Sequence, residues 1–403
     1  MGPDKTSAGP ASGPGNEYGL FDGGPPLRLL RLWGRFDPQH RHVVRRAIVV
    51  VCVGWLPLLA LALVALAVGN VDVWQAFLRD ASVHARSLIV APLFVLAEAI
   101  CIPRLGALAH TFRERGIVPS SQAPAYEKIV RSIRRLRDGW PVEALAVVLA
   151  YVIALLLIQH VPASFLPDWH RSPTGAPLGR SLASWWHALV SLPILLVLLL
   201  GWCWRVFLWA RYLWLVSRLE LRLVAAHPEG AAGLMFVSYS LPSFSILGVA
   251  IGVTVAAMEM AHLLTGGTVS LEQLGRAAFG TVVGVVIVFT APLLVFSGPL
   301  LRTWHRAVAT YGALAQRVGE EFEDKWMHGN QGEETSEPLS SADFSAVADL
   351  FQSVDKAHTL RLVPVELRSV IALGAASALP FGLVALTLVP FDEVLGKLVG
   401  ALL

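Results

Sequence analysis

The sequence predicts an all-α polytopic membrane helix bundle of about seven transmembrane helices, and two observations carry that prediction. Seven apolar stretches are each long enough to cross a bilayer, and Lys and Arg fall almost wholly on alternate connections between them. A helix needs about 20 apolar residues to cross roughly 30 Å of hydrocarbon. Composition agrees: 55% of the 403 residues are hydrophobic and 15% charged, where a soluble domain carries about a quarter charged residues.

Residues 1–26 are rich in Gly and Pro and cannot bury a core, so a disordered tail is expected there. In the basic segment 27–46, Leu27, Leu30, Trp33 and Phe36 alternate with Arg28, Arg31 and Arg35, the pattern of a basic amphipathic helix lying on anionic lipid headgroups. Six spans follow at about 47–68, 87–109, 142–160, 186–209, 243–265 and 277–300, making a membrane unit over 47–300. Cytoplasmic helices are expected at 111–141, where Ile129, Ile133 and Leu136 form an apolar stripe among arginines, and at 210–226, as an extension of the fourth span up to His227-Pro228.

The helical pattern of the sixth span also runs on, through Trp304, Val308, Tyr311, Ala315, Val318, Phe322 and Trp326. Phe344, Val347, Leu350, Phe351 and Val354 line a second helix after Ser341, so a cytoplasmic helical hairpin with an acidic outer face is expected over 301–368. The seventh span, at about 369–389, leads to an amphipathic tail carrying Phe391, Leu395 and Leu402 on the outer face, within a terminal unit 369–403. No sequence repeat between successive helical pairs stands out.

The connections on the side of the N-terminus hold 24 Lys and Arg, and the others 6; Arg104 and Arg205, near the same side, complete the 32. The positive-inside rule then places the N-terminus in the cytoplasm, and an odd span count places the C-terminus outside. The charge split marks a lipid surface and does not call for nucleic acid. Cys52, Cys101 and Cys203 sit within apolar spans without metal-ligand spacing.

Polar residues at membrane depth are the candidate sites. Glu98 lies in the middle of the second span, where an unpaired carboxylate is costly; protonation or a partner on a neighbouring span is expected. Glu259 and His262 share a helical face near the outer end of the fifth span. The Glu-x-x-His spacing suits a carboxylate metal site only with a second copy and further ligands, and the sequence holds none, so a hydrogen-bonded pair is expected and no metal or cofactor. Asp80 and His84, one turn apart and followed by Arg86, read as an ion pair capping the second span, with ligand binding as the alternative. Arg218 and Arg222, then His227-Pro228-Glu229-Gly230 and Gly233, read as a helix end and a tight turn, with room for a phosphate or headgroup beside the arginines.

The stretches from Asp80 through His84, Arg86 and Pro92 to Glu98, and from Arg218-Leu-Glu-Leu-Arg222 to His227-Pro-Glu-Gly-Ala-Ala-Gly-Leu234, resemble a group of uncharacterised bacterial multi-pass inner-membrane proteins. In that group the second motif looks like His-Pro-Asp-Arg-Ala-Gly-Gly-Leu. Here Glu229 stands for Asp, Gly230 for Arg and Ala232 for the first Gly. The resemblance implies a topology and carries no activity.

Phosphate loops, dinucleotide turns, zinc-protease motifs and nucleophile elbows are missing from the sequence. Three functions are left. The first is a scaffold, sensor or assembly protein that meets a protein partner or a second copy through the cytoplasmic helices. The second is a proton- or ion-linked channel or transporter using Glu98 and Glu259, and the third an intramembrane lipid-modifying enzyme. The first two differ in whether Glu98 and Glu259 face one water-reachable cavity.

Overall fold

A computed structural model describes residues 19–22, 41–162, 166–172, 177–327 and 342–388. It is 83% helical, with no strand among those residues. Seven apolar helical segments are long enough to cross a membrane: Val43–Ala67, Ala81–Glu114, Trp140–His160, Leu182–Val216, Met235–Leu264, Leu271–Trp326 and Leu367–Leu388, here spans 1 to 7. The connections rich in Lys and Arg define a basic face, and the other ends of the spans a far face.

Most of the core gathers toward the basic face. Phe112 lies edge-on to Phe236 at 4.9 Å and stacks on Phe296 at 5.9 Å. Tyr126, from helix Ala123–Arg137, donates to the Ala109 carbonyl and shares a 2.9 Å hydroxyl contact with Tyr212. Span 3 meets the bundle through a narrow stripe, Ala146, Ala150, Ala154 and Ile158, while Leu145, Val148, Tyr151, Leu155 and Leu156 face outward. This four-residue step of small residues lets span 3 lie against span 4 and leaves the rest of its surface to lipid.

Spans 5 and 7 pack most closely. A Cβ on Gly252 would sit 2.2 Å from the Ser377 carbonyl, and one on Gly248 would lie 3.4 Å from Leu373. The Gly-x-x-x-Gly spacing on span 5 therefore brings two backbones into contact, as small residues do between helices in lipid, where no hydrophobic driving force separates side chains from tails.

Several elements depart from the sequence reading. The helix expected over 210–226 ends at Val216. From Arg218 to Val224 exposure alternates residue by residue, with Leu219, Leu221 and Leu223 turned inward, and the Arg222 amide donates to the Ile117 carbonyl at 2.8 Å. The period-2 Leu-Glu-Leu-Arg-Leu pattern thus prevails over the helical one. Residues 19–22, within the tail expected to be disordered, are ordered: Leu20 and Phe21 are buried, Phe21 lies 5.6 Å from Trp209, and Arg137 donates to the carbonyls of Gly19 and Leu20. Arg46, assigned to the surface segment by sequence, is inside the bundle.

Span 6 is interrupted at Ala291–Phe296 by a 3-10 segment carrying Pro292 and continues as helix Ser297–Trp326. Helix Ala342–His358 lies antiparallel to it: Phe344 meets Phe322 and Trp326 at 4.7 and 5.1 Å, and at the other end the Trp304 indole donates to the His358 carbonyl. Val318, Phe322, Phe344 and Leu350 are half-buried by this pairing. The amphipathic helix of 27–36, the 328–340 connection and the tail beyond 389 lie outside the described residues.

Candidate functional site

Glu98 is partnered twice. Its Oε2 accepts from Arg46 Nη1 of span 1 at 2.7 Å and its Oε1 from Arg205 Nη2 of span 4 at 2.9 Å. All three side chains are at least nine-tenths buried. One carboxylate therefore ties three spans together, and its burial is resolved by charge-assisted hydrogen bonds. Two guanidinium groups share it, leaving an excess of one positive charge. Arg46 Nε and Nη2 and Arg205 Nε and Nη1 are buried with no hydrogen-bond partner among the described residues, and Arg205 also lies 5.1 Å from the Trp202 ring centroid.

At the far face, Asp80 caps the short helix Ala81–Ala85 by accepting from the Val83 amide. Its carboxylate also accepts from Ser82 Oγ at 2.6 Å and from the Trp169 indole at 3.0 Å. The expected Asp80–His84 ion pair is corrected. Trp55 Nε1 donates to His84 Nδ1, so Nε2 carries the proton and donates to the Phe77 carbonyl; both imidazole nitrogens are used, in the neutral form.

A second feature of the far face was not seen in the sequence. Spans 2 and 4 each begin with a five-residue helix, pass through a π segment, Arg86–Val90 and His187–Ser191, and resume α-helix at Ala91-Pro92 and Leu192-Pro193. The capping residues Asp80 and Ser181, the first π residues Arg86 and His187, and the prolines Pro92 and Pro193 are each 101 positions apart. Proline lacks the N–H that would donate one turn back, and the wider π turn absorbs that break. The likeness is one of structure: Asp80 corresponds to Ser181 and Arg86 to His187, and of these three pairs only the prolines are the same residue.

Arg86 and His187 line a far-face cavity of about 230 Å³ together with Asp80, Ser82, His170, Arg180 and Ser184. Arg180 Nη2 donates to the carbonyls of Ile158 and Val161, and its Nη1 to Ser184 Oγ, which in turn contacts His170 Nδ1 at 3.0 Å. The His170 ring lies against Trp169, with centroids 3.6 Å apart. Burial first, then the neighbouring His187 and Arg180, push its pKa from 6.5 down to about 2, so His170 is neutral. His170, Arg180 and His187 were not singled out by sequence; their shared signal is polarity in and beside an otherwise apolar span.

The other predicted residues lie apart from both clusters. Glu259 accepts from Gln273 Nε2 at 3.4 Å, and exposed His262 packs its ring against Gly267, so the expected Glu259–His262 pair is replaced by separate contacts. Among the described residues no group of three or more His, Cys, Asp or Glu is placed to hold a metal. Neither Glu98 nor Glu259 lines the far-face cavity.

On the basic face Glu229 pairs with Arg115 at 3.0 Å, Arg218 lies over the Trp214 ring at 4.1 Å, and the His227 Nδ1 accepts from the Glu229 amide. Gly230, Ala232 and Gly233 have φ of 74, 52 and 89°, and the Gly230 carbonyl accepts from the Arg361 amide. These contacts clasp a turn, and Arg218 and Arg222 are not gathered onto Glu229.

A groove of about 730 Å³ runs beside spans 4, 5 and 6, walled by residues such as Phe94, Trp202, Phe207 and Val295, with Arg211 at one end. Its lining is almost wholly apolar, with Cys203 and Arg211 as its polar members. Comparisons with family models, with curated proteins and with solved structures return no match.

Proposed function

We propose that this protein is a scaffold or sensor of a bacterial inner membrane, basic face in the cytoplasm, that meets a protein partner through the hairpin of helices Ser297–Trp326 and Ala342–His358. One observation carries the reading: the hairpin has an apolar surface that no described residue covers. Phe351, Leu314 and Met327 are 47, 38 and 71% exposed, beside exposed Glu320, Glu321, Glu323 and Asp324. The partner surface that fits is apolar with a basic rim. The transport reading loses support, because Glu98 is engaged by two arginines.

A photo-cross-linker at Phe351 in native membranes tests this, with one at lipid-facing Leu383 as control. A discrete protein adduct from 351 alone, abolished by Leu314→Asp, is the expected result. In parallel, proteoliposomes should pass protons, potassium and chloride no faster than empty vesicles; a flux that disappears in Glu98→Gln would favour transport instead.

A further inference from the structure

We propose that the far-face cavity between spans 2, 3 and 4 is a binding site for a phosphate-type oxyanion, carried by a lipid headgroup or free in solution. The inference is independent of the hairpin. It starts from Arg86, a half-buried guanidinium that makes no hydrogen bond or ion pair with the described residues although it lines the cavity. Asp80 acts on Arg86 through its charge without forming an ion pair with it, and its carboxylate is already occupied by Ser82, Val83 and Trp169. Arg86 therefore presents its fork of donors to the cavity unspent, the geometry that matches a phosphate or carboxylate bidentately.

His187, at the equivalent position of the second π segment, lines the same cavity, and its Nδ1 is buried with no hydrogen-bond partner among the described residues. Buried donors and acceptors left unmade are costly, and π turns recur where function demands an unusual side-chain placement. Between Arg86 and His187, next to Ser87 and Ser191, a smaller void of about 10 Å³ has room for one water.

The charge inventory favours an anion over a cation. Arg86 and Arg180 are positive and Asp80 negative, while His170 is neutral. Arg180 is fixed by Ile158, Val161 and Ser184, so it supplies field and holds the Ser184 hydroxyl in place. The remaining wall, Ala154, Leu157 and Ile158, is apolar, and Leu157 is 44% exposed on the lipid-facing side of span 3. That wall gives a phosphate ester somewhere to put its organic part. A bare phosphate needs only the polar half.

The test uses the full chain in phosphatidylcholine nanodiscs. One arm titrates inorganic phosphate against potassium chloride of equal ionic strength. The other replaces part of the phosphatidylcholine with phosphatidylglycerol, with thermal unfolding and native mass spectrometry of retained lipid as readouts. Stabilisation in the first arm assigns a free oxyanion, and stabilisation with one retained phosphatidylglycerol in the second assigns a headgroup. Arg86→Gln should weaken the effect at least about tenfold, as expected for loss of a charge-assisted fork. Arg211→Gln, which removes a charge at the basic face, should leave it unchanged. If Arg86→Gln does not fold, Arg86→Lys and Ser184→Ala replace it, each expected to weaken binding severalfold. The proposal is overturned if neither probe stabilises the wild type, or if the folded Arg86 and Ser184 variants bind as it does.

Discussion

Glu98 carries more than its own charge, because two buried guanidinium groups on two other spans depend on it. Removing one member of a buried ion cluster typically costs about 3–5 kcal/mol, since the charges left behind are uncompensated, whereas exchanging a whole cluster for apolar groups can be close to neutral. Glu98→Leu should therefore lower stability by about 3–5 kcal/mol. The triple variant Arg46→Met, Glu98→Leu, Arg205→Met should recover most of the loss, measured by thermal unfolding of purified protein. If Glu98→Leu unfolds like the wild type, the cluster does not hold the spans together. His170 gives a second residue-scale prediction. Its folded pKa is depressed to about 2, so between that value and 6.5 the unfolded chain binds the extra proton. Stability falls as pH drops below 6.5, by about 2–3 kcal/mol at pH 4.5, and His170→Gln should flatten that part of the profile. The depth of Glu98 was legible in the sequence from its apolar neighbours, and so was its need for a partner. Which arginines would answer was not, because spacing along one helix does not say which faces of three helices meet.

At the scale of the helix, local patterns decided between competing structures more often than hydropathy did. Pro57 cannot donate to Val53, and that freed carbonyl accepts from the Trp186 indole of span 4, while Ser191 Oγ donates to the Gly54 carbonyl next to it. A break in span 1 thus becomes an interhelical tie. Proline supplies the same logic for the paired π turns, but a π turn adds one residue to a helix and leaves its apolar pattern nearly intact, which is why the sequence conceals it. The end of span 4 was misread because Leu219, Leu221 and Leu223 fit a period of two while the preceding aromatic residues fit 3.6. Gly248 and Gly252 were not singled out by sequence: their spacing is ordinary within an apolar span until span 7 is seen against it. Gly252→Ala should force the span 5 and span 7 backbones apart, because its Cβ would meet a carbonyl at 2.2 Å, and cost about 1–3 kcal/mol. Gly248→Ala, facing a side chain at 3.4 Å, should cost less. Equal effects of the two on thermal unfolding would contradict the close approach.

Across the whole molecule, the polar clusters divide by face: the Arg46–Glu98–Arg205 cluster joins spans 1, 2 and 4 inside the bundle, and the Arg86–His187 cavity opens at the ends of spans 2 and 4. Spans 2 and 4 are thus common to both, and they run parallel because each begins at the far face. The topology expected for that arrangement rests on two facts: seven apolar helices lie among the described residues, and the charged connections alternate 24 to 6. Residues Leu367–Leu388 form one helix of 22 residues, roughly 33 Å long, enough to cross once and too short to enter and return within the described residues. Reporter fusions after residues 75, 125, 170, 330 and 403 should therefore read outside, inside, outside, inside, outside, with the far face and its oxyanion cavity exposed away from the cytoplasm. An inside signal at 403, with the other four as stated, would mean that the chain recrosses or that span 7 does not span. An inverted pattern at all five would place the hairpin of helices Ser297–Trp326 and Ala342–His358 outside and exclude a cytoplasmic partner for it.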